Sequence, residues 1–389
     1  MEVIMTEREA EILKIISNNP FISHNEIADQ LGITRSSVSV FITNMLKKGI
    51  IEGRGYIIRN KKYPLIIGDA MVDIISIPTN NPRFFDDLSF ERSADSQVSW
   101  SYGGNAKNVA EYLVRFDYLP RIIFSVGSDM FGMDYIRECK EHGINTDSAL
   151  MLEDVQTAIF IEIREGNYSR VFTTLRSSNI DERISPYFLK TKHSVINNAN
   201  QILLQNTISR ESIEYITSTF RNTPTFYFAT AYDHCEYHKG LFDRFSAVLI
   251  SHSTSAYFLE TTIEGNPNDI SDSRILKMVS KLMDAGMNSV YMPFNYDKIC
   301  YANKNTCIIY TSGFNSEKYS RFRFYRDAFM AGIMYCSNEN YSINETLKFV
   351  AACRIIASEV TNFVNPKMCL SLVNSYLKKM KDDFKSFNL

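Results

Sequence analysis

From Tyr63 to the C-terminal region, short apolar runs alternate with segments of helical period. That alternation constrains the fold more than any other feature of the chain. The expected strands are Tyr63–Ile67, Ile122–Val126, Ala158–Ile163, Gln201–Leu204, Thr225–Phe228, Ala247–Ile250 and Ser289–Met292. Between them, Gly132–His142, Arg210–Thr219 and Ile275–Ala285 read as helices, followed by Arg326–Met334 and Ile343–Thr361, rich in small residues. Strand–helix alternation of this kind predicts an α/β domain with a largely parallel sheet flanked by helices. At 389 residues the chain is long enough for one such domain and a small second one. Its 45% hydrophobic and 22% charged content excludes disorder.

The small domain precedes Tyr63. Thr6-Glu7-Arg8-Glu9 and Ser23-His24-Asn25-Glu26 are capping boxes, each followed by an apolar stripe. The stripes are Ile12, Leu13 and Ile16 in one case and Ile27, Ala28 and Leu31 in the other. Gly32 ends the second helix, and Thr34 caps a third that buries Val38, Phe41, Ile42 and Met45 and stops at Gly49. Ile50–Ile58 reads as two short strands around Gly53-Arg54-Gly55. Charge is uneven here: residues 1–34 hold six acids against two bases, and residues 35–62 hold seven bases against one acid.

Two helices joined by a tight Leu-Gly-Ile-Thr turn, a third helix and a hairpin make an arrangement that resembles the winged helix-turn-helix domains of bacterial transcription regulators. The resemblance implies a DNA-binding domain over residues 1–60, with the third helix in the major groove. Arg35, Ser36, Ser37 and Ser39 are then candidates for base edges, and Lys47, Lys48 and Arg54 for phosphates. A protein-interaction module would use the same helices.

The formal net charge is -2, so the chain as a whole is not basic. Its seven cysteines are scattered without a Cys-x-x-Cys pair, which suggests neither a disulfide framework nor a zinc knuckle. The first residues lack the layout of a secretory signal, and no apolar run reaches the ~18 residues of a membrane span. A cytoplasmic protein with no membrane partner is expected.

Four stretches of the large domain carry chemistry. Ile66-Ile67-Gly68-Asp69-Ala70-Met71-Val72-Asp73 is a strand, a glycine and an aspartate five residues on. Tyr102-Gly103-Gly104-Asn105-Ala106-Lys107-Asn108 is a Gly-Gly turn opening a helix. Ser125–Gly132 contains a further glycine pair, and Asp327-Ala328-Phe329-Met330-Ala331-Gly332 sets an acid at a helix start. In order and spacing these resemble the ribokinase-like (PfkB-type) carbohydrate kinases over residues 63–380. A winged helix fused ahead of such a domain resembles the subgroup of pseudouridine and sugar kinases. The resemblance implies a ribokinase-like fold and transfer of the ATP γ-phosphate to a hydroxymethyl group, with Mg2+. It implies that Asp73 binds sugar hydroxyls, that Gly103, Gly104, Asn105 and Asn108 close over the substrate, and that Asp327 is the catalytic base. Taken singly, Asp73 could satisfy a turn, and Asp327 could be a helix N-cap.

The nucleotide end departs from that pattern. The family's Asp-Thr-x-Gly-Ala-Gly-Asp is replaced by Arg321-Phe322-Arg323-Phe324-Tyr325-Arg326-Asp327, which keeps only the last residue. Glycines there let bare backbone amides approach the transferred phosphoryl group, and Phe324 and Tyr325 would crowd it. The usual Asn-x-x-Glu is replaced by His252 and Ser255, leaving no carboxylate for hydrated magnesium. Thr-x-Gly-x-x-Gly is replaced by Met292-Pro293-Phe294-Asn295-Tyr296-Asp297.

The expectation is therefore a DNA-binding transcriptional regulator whose ribokinase-like domain senses a sugar or nucleoside as a pseudokinase, needing no cofactor and acting as a homodimer. The alternative is an active ATP- and Mg2+-dependent sugar or nucleoside kinase. His234 and His238, four apart, are two ligands short of a usual metal set, so no metal site is expected. Trp100 is a candidate for a lid over the substrate, and Lys378-Lys379-Met380-Lys381 reads as a solvated helix end.

Overall fold

The computed structural model describes residues 5–19, 22–51, 62–79, 95–165, 170–177, 180–230, 232–260, 270–294, 297–313, 325–360 and 362–389. The chain divides into two compact units, Met1–Lys62 and Tyr63–Leu389.

The small unit is built from α1 (Glu7–Asn18), α2 (His24–Leu31) and α3 (Arg35–Lys47). Both expected capping boxes close in full, on Thr6 and Ser23, and the Thr34 side chain accepts from the Ser37 amide. Each such cap supplies an acceptor to an otherwise orphaned amide, worth about 1 kcal/mol. Gly32 ends α2 in the left-handed region at φ 63°. Ile12, Ile16, Ile27, Val38, Ile42 and Met45 meet in one core, joined by Ile51. The expected wing from Glu52 onward, including Arg54, lies outside the described residues.

The large unit runs in chain order as follows. First come β1 (Tyr63–Ile67), β2 (Met71–Pro78), β3 (Ser96–Gly103), α4 (Asn105–Arg115), β4 (Arg121–Ile123), β5 (Ser125–Gly127) and α5 (Met130–Glu141). Then come β6 (Leu150–Leu152), β7 (Ala158–Glu165), β8 (Arg170–Arg176), α6 (Pro186–Thr191), α7 (His193–Asn197), β9 (Ala199–Gln205), α8 (Arg210–Thr219), β10 (Thr225–Ala229) and α9 (Tyr232–Tyr237). The chain continues with β11 (Ala247–Ile250), α10 (His252–Phe258), α11 (Asp272–Asp284), β12 (Ser289–Pro293), β13 (Lys298–Asn303) and β14 (Thr306–Thr311). It ends with α12 (Tyr325–Asn338), α13 (Ile343–Ala357), α14 (Leu370–Leu377) and β15 (Asp383–Asn388).

Among the described residues the main sheet has the order β15-β14-β13-β12-β11-β10-β9-β1-β4. Pairing is parallel from β4 through β12 and antiparallel from β12 to β15. Strand alternation divides the core. Ile66, Leu203, Phe226 and Leu249 pack on α4, α12 and α13, while Leu65, Leu204, Tyr227 and Val248 pack on the opposite face with α8 and α11. Each large side chain fully buried contributes about 1.5–3 kcal/mol. A second sheet, β3-β2-β7-β8, stands apart from the first, and β5 pairs β6 in a two-stranded ribbon.

Three differences from the sequence reading have local causes. The Ile122–Val126 run is two strands, because at Phe124 the chain leaves β1 and its carbonyl turns to the Leu150 amide beside β6. The β13–β14 hairpin was unforeseen, since its Asn303-Lys304-Asn305 turn lacks glycine. The unit also extends past residue 380, because β15 completes the sheet edge against β14.

Candidate functional site

The ends of β1, β2 and β3 and the starts of α4 and α12 converge on a cluster of carboxylates. Asp73 lies on β2, Asp69 in the turn before it, and Asp327 in the first turn of α12. All three are at least 97% buried, each being 3% exposed. The sequence-derived residues Asn105, Asn108 and Asp327 meet directly. The Asn105 amide donates to Asp327 Oδ1 at 2.6 Å, and the Asn108 amide donates to Oδ2 at 2.9 Å. Two side-chain amides from one helix face thus fix the carboxylate plane of a residue more than 200 positions away in the chain.

The Gly-Gly turn sets how close this assembly can come. A Cβ on Gly103 would lie 1.7 Å from Asp73 Oδ2. Gly104 has φ +91°, and a Cβ there would lie 2.6 Å from the Asp69 carbonyl. Both positions require the absence of a side chain, so the glycines are more than a generic tight turn. The Tyr135 hydroxyl donates to the Gly103 carbonyl at 2.9 Å and braces the turn from α5.

Burial and mutual repulsion set the protonation of the cluster. Burial pushes the Asp327 carboxyl up to about 6, against the lowering influence of the two asparagine amides and of Arg326. Asp73 is raised well above the usual carboxylate range by burial, with Asp69 and Asp327 adding repulsion. Burial likewise raises Asp69, opposed by Arg176 and Gln205. Such an arrangement can exchange hydrogen bonds with a polyol, because burial raises the Asp73 carboxyl above its ordinary range while Asp327 ionises at about 6. A carboxylate of that pKa also suits proton removal from a hydroxyl.

Several participants escaped the sequence reading. Gln205, at the end of β9, accepts from the Asp69 amide at 2.9 Å and donates to Asn105 Oδ1 at 3.3 Å. Asp181 is fully buried, accepts from Arg176 at 2.8 Å and is pushed up to about 7 by burial and by Asp69. Lys107, beside the expected asparagines, forms a buried ion pair with Glu111 at 3.2 Å and a second pair with the half-buried Glu138 at 3.0 Å. Gln205 meets Asp69 across 136 positions, and Asp181 joins a near partner, Arg176, to Ser125, 56 positions earlier, so no local pattern places either at the site.

At the opposite end of the site, Arg321–Phe324 lie outside the described residues. Tyr325 opens α12, and its ring lies 4.4 Å beneath the Arg354 guanidinium of α13. Its bulk is thus engaged by the helix pair. Ser255, where the family pattern has glutamate, is fully buried; its hydroxyl donates to the His252 carbonyl at 2.8 Å and lies against Met278 and Met292 sulfurs. His252 faces the Phe294 ring, and its Nε2 has no partner among the described residues. These residues do not fit a hydrated magnesium ion: one is a hydroxyl turned into methionines, the other an imidazole in an apolar setting. Among the described residues no group of three or more His, Cys, Asp or Glu is arranged to hold a metal.

The remaining candidates have plain positions. His238 is buried, with Nδ1 2.7 Å from the Tyr227 hydroxyl in the core. Trp100 is 62% exposed on β3, edge-on to Tyr102. In the small unit, Arg35, Ser36 and Lys47 are exposed on α3. Ser36 and Ser37 share hydrogen bonds with the Thr34 hydroxyl at 2.8 Å, and Ser39 Oγ turns toward His24 Nδ1 at 3.0 Å. Lys48 is an exception to the phosphate expectation, because its ammonium is bound by the buried Glu9 at 2.7 Å. Val40, Thr43 and Asn44 are also exposed on α3. Ser36, Val40, Thr43 and Lys47 fall at helical spacing along one stripe.

A profile described as winged helix-turn-helix DNA-binding matches residues 5–52, and one described as pfkB family carbohydrate kinase matches residues 61–254. The uncharacterized sugar kinase YeiI of Escherichia coli is 25% identical over 95% of this chain and 99% of its own length. The Escherichia coli pseudouridine kinase is 21% identical over 82% of this chain and 98% of its own. Among solved structures, a carbohydrate kinase from Agrobacterium tumefaciens superposes with a TM-score of 0.66 at 15% identity, covering 84% of this chain and all of its own. Arabidopsis thaliana ribokinase, complexed with ribose and ATP, gives a TM-score of 0.65 at 16% identity, covering 82% of this chain and 99% of its own. Among the described residues no helix is long and apolar enough to cross a membrane.

Proposed function

Because the chain joins a winged helix-turn-helix DNA-binding domain to a pfkB-family carbohydrate kinase domain, we propose that it is a transcriptional regulator whose kinase-fold domain senses a sugar or nucleoside. Phosphoryl transfer is impaired or lost in this reading. The observation that carries it is the contrast between the two ends of the site. At one end Asp73, Gly103, Asn105 and Asn108 form a tight polar assembly suited to hydroxyl groups. At the other, Ser255 spends its hydroxyl on its own helix where a magnesium-organising carboxylate is expected, and the run from Arg321 to Asp327 has no glycine. Phosphoryl transfer rests on positioning and electrostatic stabilisation, so loss of those parts removes most of the rate enhancement.

Asp73 holds the ligand hydroxyls, and Gly103 and Gly104 let the backbone close on them. Asn105 and Asn108 keep Asp327 oriented toward the same space. DNA is contacted through Arg35, Ser36 and Lys47 on α3, in a homodimer that matches operator symmetry. The ligand controls DNA binding only through its different affinity for two states of the protein. A second reading, an active sugar or nucleoside kinase using ATP and Mg2+, is favoured by one observation: Asp327 sits near 6, pinned by two amides, as a hydroxyl-deprotonating base would be.

A thermal-shift panel of sugars and nucleosides on wild-type and Asp73→Ala protein tests the sensing role. Stabilisation of the wild type that Asp73→Ala abolishes supports it; a panel with no stabilising compound, or one indifferent to Asp73, refutes it.

A further inference from the structure

We propose that the chain carries a second small-molecule site, for a neutral hydroxylated aromatic of the nucleoside class, at the amino ends of the central strands. The place is a cavity of about 390 Å³ between the sheet and the α12–α13 pair. Its floor includes Ser289 and Tyr291 of β12 and Tyr301 of β13, and its walls include Ile333 and Ser337 of α12 and Thr346 of α13. The acid cluster described above lies at the other edge, where β9 ends in Gln205. The proposal is therefore independent of the function proposed for that cluster.

The lining defines the ligand by chemistry. Among the described residues no lining side chain is charged, so the occupant is neutral and a phosphate group is disfavoured. The Tyr291 and Tyr301 rings lie 5.0 Å apart and present an aromatic wall, which suits a flat heterocycle. Serine, threonine and asparagine groups around them suit hydroxyls and amides, so a hydrocarbon fits less well. The Tyr291 residue is only 6% exposed, and its side chain forms part of the cavity wall. A tyrosine hydroxyl in such a wall is both a donor and an acceptor that a hydroxylated ligand can engage. Helix α12 runs from Asp327 to this cavity, so one rigid element borders both sites.

The test is titration calorimetry of the full chain with uridine, in an Asp73→Ala background that disables the acid cluster. Uridine is expected to bind Asp73→Ala protein at one site per chain. Adding Ser337→Trp, which sets an indole in the cavity from an exposed rim position, is expected to abolish that binding. Adding Ser337→Ala is expected to preserve it, and adding Tyr291→Phe to weaken it about tenfold. Uridine 5′-monophosphate is expected not to bind Asp73→Ala protein. Absence of uridine binding to Asp73→Ala protein overturns the proposal. So does binding untouched by both Ser337→Trp and Tyr291→Phe, or equal binding of the monophosphate.

Discussion

Replacing Gly103 with alanine tests the geometry of the acid cluster. The new Cβ would begin 1.7 Å from Asp73 Oδ2 and 2.6 Å from Asp73 Cγ, far inside contact distance. The carboxylate must swing by roughly an ångström or more, and it has little room. Asp73 is buried, with Asp69 and Asp327 close enough to repel it. Overpacking of this kind costs about 1–3 kcal/mol. Trp100 is the sole tryptophan and lies three residues away on β3, so its fluorescence reports urea unfolding of the large unit. The clash needs both partners, so Gly103→Ala should destabilise by about 2 kcal/mol in wild type and by much less in Asp73→Ala protein. The coupling in this double-mutant cycle should exceed about 1 kcal/mol. Additive effects would refute the close approach. A displacement of that size should also weaken binding of the stabilising sugar or nucleoside by about tenfold to a hundredfold, through lost hydrogen bonds to Asp73.

Other outcomes follow from the same contacts. Asp327 and Asp181 are raised to about 6 and 7 from an ordinary 3.8, so the native state holds protons that the unfolded chain has lost. Their contribution is full below about pH 4 and disappears as pH rises through 6 and 7. Urea stability of the large unit should therefore be higher at about pH 5.5 than at about pH 8 by a few kcal/mol, and a rise toward pH 8 would contradict the burial argument. In DNA binding, Arg35→Ala with Lys47→Ala should lower affinity and flatten its salt dependence, measured by fluorescence anisotropy. Lys48→Ala should instead lower the melting temperature of the small unit, because it strands the buried Glu9, and should leave the salt slope nearly unchanged. Gln205→Leu should weaken ligand stabilisation about tenfold by freeing the Asp69 amide and Asn105, read from the same thermal-shift titration.

Much of this was legible in the residues because local chemistry dictated it. Thr6-Glu9 and Ser23-Glu26 carry their own cap partners, and both boxes close. Apolar runs such as Leu65–Ile67 can be satisfied only inside a sheet covered on both faces, as they are. Asp73, Gly103, Asn105, Asn108 and Asp327 converge because helix spacing puts Asn105 and Asn108 on one face toward α12. The rest depended on distant partners. Lys48 reads as a free cation until Glu9, 39 positions earlier, is seen to bind it. The Ile122–Val126 run changes partner at Phe124 because of β6, which no local pattern announces. Gln205 reaches the site because β9 lies beside β1, and Asp181 is held by Ser125, 56 positions earlier.

The central claim is that this domain recognises a hydroxylated ligand without phosphorylating it. The direct measurement is mass-spectrometric product analysis after incubating the protein with its stabilising sugar or nucleoside, ATP and magnesium, beside Asp327→Asn. The account predicts ligand recovered unchanged from both proteins. Phosphorylated ligand from the wild type, absent from Asp327→Asn, would contradict it and establish catalysis.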